Sequence, residues 1–143
     1  MIVFLGILSN LYLIFIYKKI QLSDRSALVF LIIDILQLGA LIYLTGGIVN
    51  PFSIFLLIPS VFASSNLGLR TNILIVLFTT MMIFFLTFYH QDLPKPLSDH
   101  FHVSAFYFYA IPISLIIALF FLNYFAIIFG AESKLRKEAL NKM

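Results

Sequence analysis

Asp34 and Gln37 place a carboxylate and a carboxamide one helical turn apart inside an otherwise apolar run, which leads into the uncharged turn Thr45-Gly46-Gly47-Ile48-Val49-Asn50-Pro51-Phe52. These are the residues whose types and spacing could do chemistry. Two adjacent glycines give the backbone access to positive φ and leave its N–H groups without side-chain cover, so a flat polar ligand could approach closely. Asn50 followed by Pro51 reads as an N-cap with proline at the first helical position, which satisfies one loose amide and costs nothing at the other. The turn then presents the positive end of a helix dipole, with Phe52 and Phe55 at its mouth to cover an apolar ring. A tight connection between two spanning helices would use the same turn residues, and the residue types alone leave both readings open.

Asp34 is the only acid inside any apolar run. A carboxylate at membrane depth is costly, so it is expected to face the bundle interior, neutral or paired. Either it makes a helix-packing hydrogen bond, or it takes a direct part with Gln37 in ligand or proton handling.

The surrounding chain must hold these groups in a membrane. Of 143 residues 62% are hydrophobic and only 10% charged, and the mean hydropathy is +1.09. A water-soluble fold of this length needs far more polar surface, whereas charge-free runs of about 20 residues match a bilayer core of about 30 Å. With no cysteine in the sequence, a disulfide framework, a thiol switch and a thiolate metal site are excluded. The expected fold is all-α, a polytopic membrane helix bundle with spans at about 1–17, 26–44, 51–66, 71–89 and 103–129. Residues 1–130 form the transmembrane unit.

In the first run the positive charges follow the apolar stretch, as Lys18, Lys19 and Arg25, rather than precede it. That order reads as a retained helix and not a signal peptide. The lack of any polar lead-in suggests an upstream piece. Pro59 and Pro112 are expected to kink the third and fifth runs. Tyr107 and Tyr109 fit an interfacial aromatic belt. Between the fourth and fifth runs, Pro94, Lys95 and Pro96 prevent helix. His100 and His102 are spaced to converge in an extended segment, but His90, His100 and His102 read as ordinary histidines of a polar interfacial loop, and no metal site is assigned.

After Gly130 the chain turns polar, from Glu132 to Met143, with Leu135, Ala139 and Met143 at four-residue steps. This stretch, 131–143, is either a short amphipathic helix on the inner membrane surface or the start of a coiled-coil connector to a cytoplasmic domain, and its abrupt stop suggests a truncated chain. Five spans put eight of the nine Lys and Arg residues on one side and Lys95 alone on the other. The positive-inside rule makes the first side cytoplasmic, with the C-terminus inside and the Gly-Gly turn toward the outer leaflet. A re-entrant third run would move Arg70 outward and weaken the bias, so a full crossing is expected.

The segment Asp34-Ile35-Leu36-Gln37-Leu38-Gly39-Ala40-Leu41-Ile42-Tyr43-Leu44, running into Thr45 to Phe52, resembles the signature of the RegB/PrrB family of redox-responsive sensor histidine kinases. That family carries a Gly-Gly-x-x-Asn-Pro-Phe heptapeptide, matched by residues 46 to 52 without a departure. The resemblance implies a membrane-embedded sensing domain of a two-component system, with the chain corresponding to the second to sixth helices of a six-helix unit in a bacterial inner membrane. It implies ubiquinone as the sensed ligand, held at Gly46, Gly47, Asn50, Pro51 and Phe52, with Asp34, Gln37 and Phe55 in support. It also implies a homodimer in membrane lipid and a response regulator reached through a kinase core. The family's phosphoacceptor histidine, ATP-binding motifs and redox-active cysteine have no counterpart in this sequence. No catalytic residue is therefore assigned, and no nucleic acid is expected as a partner. The competing expectation is a small integral membrane protein of structural or transport function. Against transport, polar candidates for a pathway reduce to Asp34, Gln37 and Asn123.

Overall fold

In lipid a backbone must satisfy its own hydrogen bonds, and these apolar runs do so as helices. A computed structural model describes residues 1–17, 23–92 and 103–143. Among them are five α-helices: α1 (Ile2–Tyr17), α2 (Asp24–Leu44), α3 (Leu57–Asn66), α4 (Leu69–Phe88) and α5 (Ala105–Asn141). Two 3-10 helices, Gly47–Val49 and Pro51–Leu56, link α2 to α3. The all-α membrane bundle expected from composition is what forms. Three helices, α2, α4 and α5, are long and apolar enough to cross a membrane.

The segment from Pro51 to Asn66 is shorter in residues but not in reach. Six residues of 3-10 helix at about 2.0 Å and ten of α-helix at about 1.5 Å give about 27 Å, close to a bilayer core. The expected kink at Pro59 is replaced by this change of helix type. Pro59 has no N–H to offer the Phe55 carbonyl, so it sits in the first turn of α3, where the missing donor breaks no α-helical bond. Pro112, by contrast, lies inside α5.

Two hydrogen bonds fix the ends of the bundle. At one end the Gly68 N–H, just before α4, donates to Asp24 Oδ2 at the start of α2, 3.0 Å. At the other the Gln91 N–H, just past α4, donates to the Tyr43 carbonyl near the end of α2, 2.9 Å. Helices α2 and α4 therefore run parallel, and the Pro51–Asn66 segment returns between them from one end of the bundle to the other.

The core follows a four-residue spacing on each long helix. Leu31, Ile35, Gly39 and Ile42 face inward from α2, Ile75, Thr79 and Ile83 from α4, and Leu115, Leu119 and Asn123 from α5. Outward faces are crowded with Phe, Leu and Ile, as a lipid-facing surface requires. Because lipid competes for apolar contacts, small and polar residues decide where such helices meet. Here Asn123 Nδ2 donates to Ser60 Oγ (2.9 Å), and its Oδ1 accepts from Ser60 and Ser64. Ser64 Oγ also lies 3.0 Å from Asn72 Oδ1. One buried cluster thus ties α3 to both α4 and α5.

Candidate functional site

The turn after α2 is built by its own side chains. Gly46 and Gly47 both adopt positive φ, 101° and 68°, as their type predicted. Asn50 then closes the loop: its Nδ2 donates to Thr45 Oγ1 (2.6 Å) and to the Thr45 carbonyl (3.2 Å), while its Oδ1 accepts from the Phe52 N–H (2.9 Å). Thr45 Oγ1 passes the chain on to the Leu41 carbonyl, 2.8 Å. Asn50 is the N-cap and Pro51 the first helical residue, as expected, although the helix they open is 3-10 and not α.

The open backbone expected at the two glycines is not there at Gly47, while Gly46 stays partly exposed. Gly47 is buried beneath the His90 side chain, whose Cγ would stand 2.5 Å from a Cβ at position 47. His90 reaches this place because the chain turns back after α4, and its ring is 6.4 Å from that of Phe108 on α5. His90 Nδ1 is buried with no hydrogen-bond partner among the described residues. The composition of the sequence gave no hint of this contact, which joins positions 43 residues apart in the chain.

What the turn exposes is aromatic. Phe52 is 60% and Phe55 44% exposed, and their rings stack with centroids 5.8 Å apart. Phe55 also borders a groove of about 520 Å³ between α1, α2 and the Pro51–Asn66 segment. Asp34 and Gln37 line the same groove, with Asn10 from α1 and Pro59 opposite. The shared face expected for Asp34 and Gln37 is real, and it opens toward α1, not into the buried seam. The residues singled out in the sequence therefore gather into two adjoining parts: the turn with Gly46, Gly47, Asn50, Pro51 and Phe52, and the groove with Asp34, Gln37 and Phe55.

From this site a continuous element leads away. Helix α5 begins beside His90 and runs 37 residues, about 55 Å, well beyond a core of about 30 Å. Its exit is packed tightly on α3: a Cβ on Gly130 would lie 2.8 Å from the Ser65 carbonyl oxygen. Beyond Gly130 every residue is exposed. Ser60, Ser64 and Asn72, which fasten α3 to its neighbours, were not singled out from sequence. The Ser60–Ser64 spacing, two small residues one turn apart in an apolar run, was the available signal.

Among the described residues no group of three metal-binding side chains occurs. His100 and His102, read from sequence as ordinary histidines of a polar loop, lie outside the described residues, as do Lys18, Lys19 and the Pro94-Lys95-Pro96 break.

A family model for the PilS-like transmembrane domain matches residues 1–140. The chain belongs to this family. The PilS-like domain is also 26% identical over 136 residues to the sensor histidine kinase RegB of Cereibacter sphaeroides. That alignment takes in 94% of this chain and 29% of RegB, so the chain spans less than a third of that relative. No solved structure shows significant similarity to this PilS-like domain. The resemblance carried by Asp34 to Phe52 is borne out over nearly the whole chain, and this PilS-like domain is an integral membrane unit.

Proposed function

We propose that this chain is the membrane input domain of a two-component sensor histidine kinase and that it reads the redox state of a lipid-soluble quinone. The observation that carries the reading is the exposed Phe52–Phe55 stack on a turn locked by Asn50, coupled through α3 to a helix that leaves the bundle. A quinone ring is flat and apolar with two carbonyl acceptors, and its reduced form carries hydroxyls. Stacked aromatic rings suit the face of either form, and Asp34 and Gln37 supply donors and acceptors beside them. The fit between the residues present and such a ring is therefore chemical as well as spatial. Ubiquinone is the form that the resemblance implies.

The signal would pass from Phe52 and Phe55 through the start of α3, across the Ser60–Ser64–Asn123 cluster, to the charged end of α5. A ligand moves such an equilibrium only by its differential affinity for two states. A coupling of about 1–3 kcal/mol, or about 5–150-fold, is typical. In this reading Glu132 to Met143 lies in the cytoplasm of a bacterial inner-membrane protein, feeds a kinase core as a homodimer, and reaches a response regulator through it.

The test is binding of a short-tailed ubiquinone to the chain in lipid nanodiscs, in oxidised and reduced forms. The expected result is a several-fold difference in affinity between the two forms, weakened for both by Phe52→Ala. Equal affinity for the two forms, or binding unchanged by Phe52→Ala, would overturn the proposal.

A further inference from the structure

Polar side chains in the spanning segments fall into two kinds. In the seam between α3, α4 and α5, Asn123 and Ser60 exchange hydrogen bonds and Ser64 contacts Asn72, while Thr79 Oγ1 alone among the buried hydroxyls described there has no partner. The groove beside α1 holds the others. The Asp34 carboxyl lines the groove and makes no ion pair among the described residues. Asn10 donates its amide N–H to the Gly6 carbonyl, 3.0 Å, and borders the groove. Gln37 packs against Gly6, where a Cβ would stand 3.2 Å from Gln37 Oε1. Unsatisfied polar groups at membrane depth are costly, and their usual justification is a ligand or a relay. A groove of about 520 Å³ is within the range of small-molecule sites, which are mostly apolar with a few convergent polar groups.

The turn, in contrast, has little left to offer a polar ligand. Asn50 uses its Oδ1 on Phe52 and its Nδ2 on Thr45, and His90 covers Gly47. Its free surface is the aromatic pair, and Phe55 belongs to both the pair and the groove wall.

We infer that the polar head of the ligand is received in the groove, by Asp34 and Gln37 with Asn10 at the rim, and that the glycine turn only holds Phe52 and Phe55 at its mouth. This deepens the quinone reading and rests on it. The Gln37 amide N–H groups, and the Asp34 carboxyl when it carries a proton, donate to a carbonyl head. Gln37 Oε1, Asn10 Oδ1 and the carboxyl oxygen accept from a hydroxyl head. The same three side chains thus address both forms through different atoms, and Phe55 and Pro59 wall the ring. Occupancy would wedge α1 and α2 against the start of α3.

The experiment is photolabelling of the chain in nanodiscs with a short-tailed azido-ubiquinone, with adducts mapped by peptide mass spectrometry and competed by excess ubiquinone. Competed adducts are expected within residues 3–10 and 34–41. Labelling should fall at least tenfold in Asp34→Leu and Gln37→Leu and persist in Ser114→Ala, on the exposed side of α5. Because a carboxyl without an ion pair is removed, Asp34→Leu should also raise the thermal stability of the ligand-free chain. Competed adducts confined to residues 46–52 and indifferent to Asp34→Leu would overturn this inference and leave the quinone reading standing. The absence of any competed adduct would overturn both. A ligand-free Asp34→Leu chain that is less stable than the parent would show that Asp34 has a structural partner, as would efficient disulfide dimers of Asn10→Cys that block labelling, and either result would overturn the groove as a ligand site.

Discussion

The side chain of His90 lies on the α-carbon of Gly47, so closely that a Cβ at position 47 would come within 2.6 Å of His90 Cβ and 2.5 Å of its Cγ. Position 47 is thus held to glycine twice, by a φ of 68° and by its neighbour. Gly47→Ala is expected to cost about 1–2 kcal/mol from the left-handed backbone alone, and more from the overlap. In a His90→Ala background only the backbone part should remain. Thermal unfolding of the four proteins in detergent, read as a double-mutant cycle, measures the difference. Additive effects would show that the two residues do not press on each other.

Asn50 works in both directions, as acceptor for the Phe52 N–H and donor to Thr45. Asn50→Asp keeps the acceptor and loses the donor; Asn50→Ala loses both. The expected order of stability is wild type, then Asp, then Ala, with the alanine variant down by about 1–2 kcal/mol. Unfolding in mixed micelles tests the order. An alanine variant as stable as wild type would mean that the turn is held by its glycines and Pro51 alone.

Asn123 is the hub of the polar seam, since its truncation leaves the Ser60 hydroxyl without a partner and takes from Ser64 one of its three acceptors. Asn123→Leu is expected to destabilise by about 1–2 kcal/mol, in line with interhelical hydrogen bonds in lipid. Ser114→Ala, which removes only a bond to its own helix, should be near neutral. Both are read from the same unfolding curves.

Gly130 allows α5 to touch the backbone of α3 at Ser65. Gly130→Val forces the two apart at the exit of the bundle. The expected outcome is a longer distance between spin labels at Phe62→Cys and Lys134→Cys, seen by double electron–electron resonance, with the helix content unchanged. An unaltered distance distribution would show that α5 does not lean on α3 there.

Absence of native cysteine makes topology directly measurable. Arg25, Arg70 and Lys134 stand at the end of the bundle marked by the Asp24–Gly68 hydrogen bond, and Tyr89 at the other. Single cysteines at Arg70 and Lys134 should react with an impermeant maleimide from one side of sealed vesicles, and one at Tyr89 from the opposite side. Reaction of Arg70→Cys together with Tyr89→Cys would contradict a full crossing by the Pro51–Asn66 segment.

Much of this molecule was legible in local patterns. Charge-free runs marked where helices form, because the cost of a charge in hydrocarbon is large and does not depend on the neighbours, although α3 begins only at Leu57 and α5 continues to Asn141. Gly46-Gly47 and Asn50-Pro51 announced positive φ and a capped helix start, since turn chemistry is decided within a few bonds. Asp34 and Gln37 were seen to share a face from their spacing alone. The 3-10 form of the segment opened by Pro51 was harder to read, because it depends on a second proline eight residues later.

What only the tertiary structure decided was who meets whom. Hydropathy says that α2 to α5 enter the membrane, but in lipid any apolar face is equally well solvated by acyl chains, so the pattern does not choose a helix's neighbours. That choice fell to contacts between distant positions: Asn123 on Ser60, Gly130 on Ser65, His90 on Gly47. The sequence by itself made this a bundle of spanning helices with a glycine–proline elbow. Packing buried Gly47 and Ile48 of the elbow and left Asp34 and Gln37 lining the groove beside it.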